Sequence, residues 1–127
     1  MTTEIPREQW KEFFDNLSRE LLDWETTVEV ISDNNGAQLM SEGLPFTGLT
    51  FEDAGHPVIE LTVGSSPDTH QTHTIDEPTM VAFEGTGLGP KGVLDIEDER
   101  GTKTLVRFIQ PFPVLVEYVK TEMVGIA

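Results

Sequence analysis

Residues 93–108 read VLDIEDERGTKTLVRF. Leu94 and Ile96 alternate with Asp95 and Glu97 before a turn; after it, Thr104, Val106 and Phe108 alternate with Leu105 and Arg107. A period of two marks strands with one face in a core and one in water. Asp98-Glu99-Arg100-Gly101 between them has the form of a type I turn closing on a glycine in the left-handed region, the three-residue hairpin loop with a bulge. Such a turn pairs Asp98 with Thr102. Glu97 then faces Lys103, Ile96 faces Thr104, Asp95 faces Leu105 and Leu94 faces Val106. The pairing sets opposite charges across from each other and places Leu94, Ile96, Val106 and Phe108 on one face, assigned to the core. A one-residue slip would turn one strand's apolar set into water, so the register is strongly specified.

Working outward, the same acid, two residues, glycine form recurs at Asp33-Asn34-Asn35-Gly36 and at Glu52-Asp53-Ala54-Gly55. Strand patterns flank each copy: 24–32, 37–42, a segment 46–51 bent or at an edge because Pro45 cannot donate to a ladder, and 57–63. Further strands are expected at 70–75, 79–84, 93–98 and 102–109, with Asp76-Glu77-Pro78 turning the chain between the first two. Gly85 to Gly92 is glycine-rich but is no phosphate loop. Lys91 precedes the last glycine, no Ser or Thr follows, and the next element is a strand, so no helix N-terminus is available. The sum over 24–109 is an antiparallel β-meander of about eight short strands. Such a series curls into a barrel or half-barrel to avoid open edges.

One strong helical pattern precedes it, over 6–22. Trp10, Phe13, Phe14, Leu17 and Leu21 cluster on a stripe roughly 100° wide, with Lys11, Glu12, Asp15, Asn16 and Arg19 opposite. Pro6 tolerates the start, where its missing N–H has no helical partner. With Pro6 as the cap, Ile5 and Trp10 form a hydrophobic staple. A helix this short is unstable alone, so its aromatic face is expected to cover the sheet. The fold class is therefore α+β, mainly β, in a single domain spanning 1–127. The segment 111–127 is read as a short helix or an extended docking segment. Val114, Leu115, Val116, Tyr118 and Val119 are too apolar to hang in water, so it is expected to dock on its own barrel or on a second copy, giving a homodimer.

The formal charge is −15, from 23 acidic against 8 basic residues. No basic stripe interrupts it, which argues against nucleic acid as a partner. It also argues against an anionic membrane surface. The acidity would attract cations or a basic partner, and it would suit a salty cytosol. Cysteine is absent, which removes disulfides, thiolate zinc sites and thiol nucleophiles. No signal-peptide pattern and no apolar run of membrane-spanning length is visible, so a cytoplasmic location is expected.

The most polar strand is where a ligand is first sought. His70, Thr72 and His73 are candidate ligand-binding residues, and Asp68, His70 and His73 are candidate metal ligands, with Glu77 nearby; imidazole and carboxylate suit transition metals. The spacing is poor, because positions three apart on a regular strand face opposite ways. His56 follows a turn glycine and reads as a turn residue. Asp95 and Glu97 read as a solvated strand face. The serines lack a His and Asp partner set, and no catalytic residue is assigned.

The runs IPREQWKEFFDNLSR at 5–19, VEVI at 28–31, GAQL at 36–39, THTIDEPT at 72–79 and LDIEDERGTKTLVRF at 94–108 together resemble a family of small bacterial proteins classed as a domain of unknown function. The resemblance covers nearly the whole chain to about Phe108. It implies a bacterial or archaeal source and transfers no site. The leading reading is a non-enzymatic cytoplasmic module that binds a partner protein or a small ligand, with no cofactor. The competing reading is a metal-dependent or acid–base enzyme using His70, His73 and nearby carboxylates.

Overall fold

Each turn of the acid, two residues, glycine form closes on a glycine that the backbone requires: Gly36, Gly55 and Gly101 sit at φ of 62°, 82° and 82°. They are seen in a computed structural model that describes residues 2–85 and 91–110. The chain runs β1 (Thr2–Glu4), a 3-10 turn (Arg7–Gln9), α1 (Trp10–Glu20), β2 (Glu25–Ser32), β3 (Gly36–Asp53), β4 (Pro57–Val63), β5 (Gln71–Asp76), β6 (Pro78–Gly85), β7 (Lys91–Asp98) and β8 (Lys103–Ile109). These are one helix and an eight-stranded sheet ordered β1-β6-β7-β8-β2-β3-β4-β5. Every pairing in it is antiparallel.

The hairpin of β7 and β8 has the expected register: Glu97 opposite Lys103, Ile96 opposite Thr104, Asp95 opposite Leu105 and Leu94 opposite Val106. Leu94, Ile96, Val106 and Phe108 are fully buried. The turn is held by the Gly101 N–H donating to the Asp98 carbonyl at 3.0 Å and the Asp98 N–H donating to the Thr102 carbonyl at 3.1 Å. The Asp98 carboxylate also accepts from the backbone N–H groups of Arg100 and Thr102. A Cβ at Gly101 would meet nothing within 4 Å, so substitution there costs backbone strain and nothing else. Gly101→Val, which forces a β-branched residue to positive φ, should therefore destabilise by about 1–2 kcal/mol. Arg100→Ala, at an exposed position, should stay within about 0.5 kcal/mol of wild type. Urea unfolding of the two variants checks the difference.

Three parts of the architecture depart from the sequence reading. The runs expected at 37–42 and 46–51 are one strand, β3. Its first part pairs with β2 and its second with β4. Pro45 lies where pairing passes from one neighbour to the other, so its missing N–H interrupts little, and its carbonyl accepts the Gly64 N–H at 2.8 Å. Short β1 completes the count of eight; it adds to the edge of β6, with Thr3 opposite Phe83. The third departure concerns Asp76-Glu77-Pro78, which is not a hairpin turn. β5 and β6 follow each other across Glu77 alone but do not pair; they lie toward opposite ends of the sheet order. With a single residue between them, the sheet must curl until these two regions approach. The result is an unclosed sheet in the form of a barrel or half-barrel.

The helix fills the curl. Trp10, Phe14 and Leu17 are buried in the same core cluster as Phe46, Leu49, Leu61, Leu94 and Phe108. Trp10 meets Phe51 edge-on with ring centroids 5.1 Å apart, and Phe13 meets Phe83 at 5.6 Å. The start follows the staple: Pro6 caps the 3-10 turn, Ile5 packs on the core, and the Trp10 indole N–H donates to the Ile5 carbonyl at 2.8 Å. Ser18 ties the helix to β3 by accepting the Leu49 N–H at 3.0 Å. The regular helix is shorter than 6–22 because the first turn is 3-10 and the helical bonding stops with the Leu21 N–H donating to the Leu17 carbonyl at 2.8 Å. The turn that follows passes through Asp23 at φ 69°, a left-handed conformation that short polar side chains tolerate. The glycine-rich loop at 86–90 and the segment 111–127 lie outside the described residues, and so does the docking expected of the latter.

Candidate functional site

The side chains of β5 divide as strand geometry dictates. His73 is paired with Leu61, and Ile75 with Ile59. Leu61 and Ile59 are fully buried, so His73 and Ile75 belong to the core face of the curled sheet. His73 is half-buried there. Burial holds its imidazole below the usual range, because the charged form would lose its hydration. His70 precedes the strand, is exposed, and lies near Thr72 across a contact of 3.3 Å between Nε2 and the hydroxyl. Asp68 is an exposed residue of the loop before it, in which Ser66 and Thr69 bond to each other. His70 and His73 are thus not brought together. Among the described residues no group of three or more His, Asp or Glu side chains is placed to hold a metal ion.

What surrounds His73 is a pocket of about 490 Å³ at one opening of the curl. Its lining includes Val30 of β2, Ile75 of β5, Thr102 and Thr104, and also Thr74, whose side chain belongs to the other face of β5. The rim carries Asp76, Glu77, Asp98 and Glu99, with Arg100 and His56 beside them. This rim is a consequence of the β5–β6 junction. The Glu77 N–H donates to the Pro57 carbonyl at 3.0 Å, and the Glu77 carbonyl accepts from the Glu99 N–H at 3.0 Å. The junction is therefore stitched to the start of β4 and to the β7–β8 turn. Those two bonds hold Glu77 at a φ of 52°, a conformation that long side chains seldom adopt and that recurs at functional sites.

His56 is the residue the sequence reading undervalued. Its Nδ1 lies 2.8 Å from a Glu77 carboxylate oxygen, and its Nε2 lies 3.3 Å from an Asp76 carboxylate oxygen. Both nitrogens can donate only when both carry hydrogen, so the bracket is complete in the imidazolium form. No local signal finds this contact, since the partners lie a strand pair away. A second, larger hollow of about 700 Å³ lies beside Arg7, Lys11, Phe51 and Asp53. Its chief polar group is already engaged: the Arg7 guanidinium pairs with Asp53 at 3.1 Å and lies over the Trp10 and Phe51 rings at 5.4 and 5.5 Å. The His73 pocket is the better candidate, because it joins a desolvated imidazole, hydroxyls and an apolar wall.

The buried imidazole has a consequence for pH. Its affinity for a proton is lower in the folded chain than in the unfolded one, so the unfolded chain takes up more protons as the solution is acidified. The stability this represents is full above the unfolded value of about 6.5 and is lost as pH falls from there through the folded value. His73→Asn should remove that part of the decline. Denaturant melts of both proteins from pH 8 to pH 5 should diverge only below about 6.5; parallel curves would show that His73 is solvated.

Among known proteins, the chain is similar to an uncharacterized protein of Aquifex aeolicus (strain VF5), 31% identical over 113 residues that cover 89% of this chain and 96% of that protein. That relative accords with a bacterial origin. No solved structure matches the chain. The model of a family of unknown function, DUF5335, matches residues 1–114, and the chain belongs to that family.

Proposed function

We propose that this protein is a non-enzymatic binding module whose site is the His73 pocket, and that its ligand is a small organic cation with an apolar body. One observation carries the reading. The curl brings a half-buried imidazole, Val30, Ile75 and Thr104 to the lining of a pocket whose rim holds Asp76, Glu77, Asp98 and Glu99 against a single guanidinium, that of Arg100. A volume of about 490 Å³ lies within the roughly 300–1,000 Å³ common for small-molecule sites. Burial favours the neutral form of the His73 imidazole, and a neutral imidazole offers one donor and one acceptor to a ligand. The rim carboxylates favour a positive ligand and repel an anion, and the net charge of −15 steers cations toward the molecule. Asp76 and Glu77 are already bracketed by His56, and the Asp98 carboxylate is tied into its own turn. This leaves Glu99 as the rim carboxylate with most freedom to meet an incoming ammonium group.

Isothermal titration calorimetry with n-butylammonium and with n-butyrate tests the reading. The ammonium ion should bind and the carboxylate should not. Glu99→Gln, a surface change that leaves the turn backbone intact, should weaken ammonium binding severalfold. Equal heats for both ions, or an affinity indifferent to Glu99→Gln, would overturn it.

A further inference from the structure

The face of the sheet that points away from the core is not a plain solvated surface. Strand alternation assigns Val28, Leu94, Ile96 and Val106 to the interior, where all are buried. The residues between them therefore point outward. Across the sheet, Leu39, Glu29, Leu105 and Asp95 stand in one register row. Ile31 lies in the next row, opposite Lys103, and Val93 lies on the other side, opposite Arg107. Ile31, Val93 and Leu105 are half-buried, and Leu39 and Ile109 are exposed at 58% and 38%. Asp95 sits among them with one carboxylate oxygen out of solvent and without a hydrogen-bond partner among the described residues. Desolvation first, and Glu97 second, raise its carboxyl above the usual range, while Lys103 pulls the other way. An unpaired acid in an apolar patch is costly where it faces no donor.

The chain itself continues from this face. Phe108 points into the core, so Ile109, at the end of β8, points outward. β8 is an inner strand between β7 and β2. Residues 111–127 follow and bring Val114, Leu115, Val116, Tyr118 and Val119 together with Lys120. Even as a helix rising about 1.5 Å per residue, that length would recross β8, whose 7 residues rise about 3.3 Å each. Tethering keeps its local concentration at the face far above that of any free partner.

We propose that the segment 114–123 docks on the outer face of β2, β7 and β8 of its own chain, seating its apolar side chains over Leu105, Ile31 and Val93 and bringing the Lys120 ammonium to Asp95. The proposal is independent of the ligand reading above. The chain has no cysteine, so Thr121→Cys takes a nitroxide label at one position only. In ¹⁵N-labelled full-length protein, paramagnetic broadening should be strongest at the amides of Asp95, Leu105 and Glu29, and weak at β4. Adding Leu105→Asp should abolish that broadening while the amide shifts of Val28 and Val106 stay dispersed, showing that the fold persists. Broadening confined to residues beside the label, broadening centred elsewhere, or broadening that survives Leu105→Asp would overturn the proposal. So would broadening that appears on an unlabelled ¹⁵N chain mixed with a nitroxide-bearing ¹⁴N chain, since a second copy would then be the occupant.

Discussion

Phe14→Ala should destabilise the protein by about 3–5 kcal/mol, the usual result of truncating a buried phenylalanine. The ring is fully buried in the cluster that joins α1 to both arms of the curled sheet. The cluster draws on β2, β3, β4, β5, β6, β7 and β8 together. Asp15→Ala, next in sequence but exposed on the opposite side of the helix, should stay within about 0.5 kcal/mol of wild type. Chemical denaturation of the pair measures the difference. Two variants of equal stability would mean that the helix is an appendage and that the sheet has another core.

Gly64→Ala should cost about 2–5 kcal/mol, from two sources that add. Gly64 follows β4 at a φ of 90°, and a side chain held in the left-handed region costs roughly 1–2 kcal/mol. Its missing Cβ is also where the returning loop passes. A methyl group there would sit 2.7 Å from the Thr69 carbonyl carbon and closer still to its oxygen, and overpacking against backbone adds about 1–3 kcal/mol. The contrast is Gly55→Ala, at a φ of 82° with nothing within 4 Å of the added carbon. That variant should show the strain alone, about 1–2 kcal/mol. If the two alanine variants melt together, the approach of Thr69 to Gly64 is not real, and neither is the path of the loop that starts β5.

Local chemistry wrote most of this fold into the chain. The register of β7 and β8 followed from one turn and one alternation, because a period of two leaves a hairpin no second way to bury Leu94 and Val106. The buried face of α1 followed from helical spacing, and the staple of Ile5 and Trp10 from a proline. What escaped was set by distant contacts. Asp76-Glu77-Pro78 has a good turn composition, yet β5 and β6 do not pair. β8 pairs with β2 instead and carries the sheet round, a choice that no window of a few residues can reveal. β1 is three exposed residues with no pattern of its own, visible only once β6 offers an edge. Pro45 looked like a break because the sequence does not tell that the ladder changes partner there.

The site was legible in part for the same reason. Alternation alone separates His73 from His70, and the structure puts the first in a pocket and the second on the surface. The other contributors come from Val30, His56, Asp98 and Thr104, scattered over β2, the β3–β4 turn and the β7–β8 hairpin. Only curvature assembles them. His56 in particular owes its contacts to Glu77, which the β5–β6 junction carries back to the start of β4.

The most direct test of this account is a two-dimensional NMR titration of ¹⁵N-labelled protein with n-butylammonium chloride, referenced to the same ionic strength of sodium chloride. Shifts confined to the amides of Val30, His73, Thr74, Glu99, Thr102 and Thr104, saturating together with one affinity, are the predicted result. Small shifts spread over exposed acids such as Asp15 and Glu60, growing linearly without saturation, would show that the cation responds to net charge alone and would contradict the pocket.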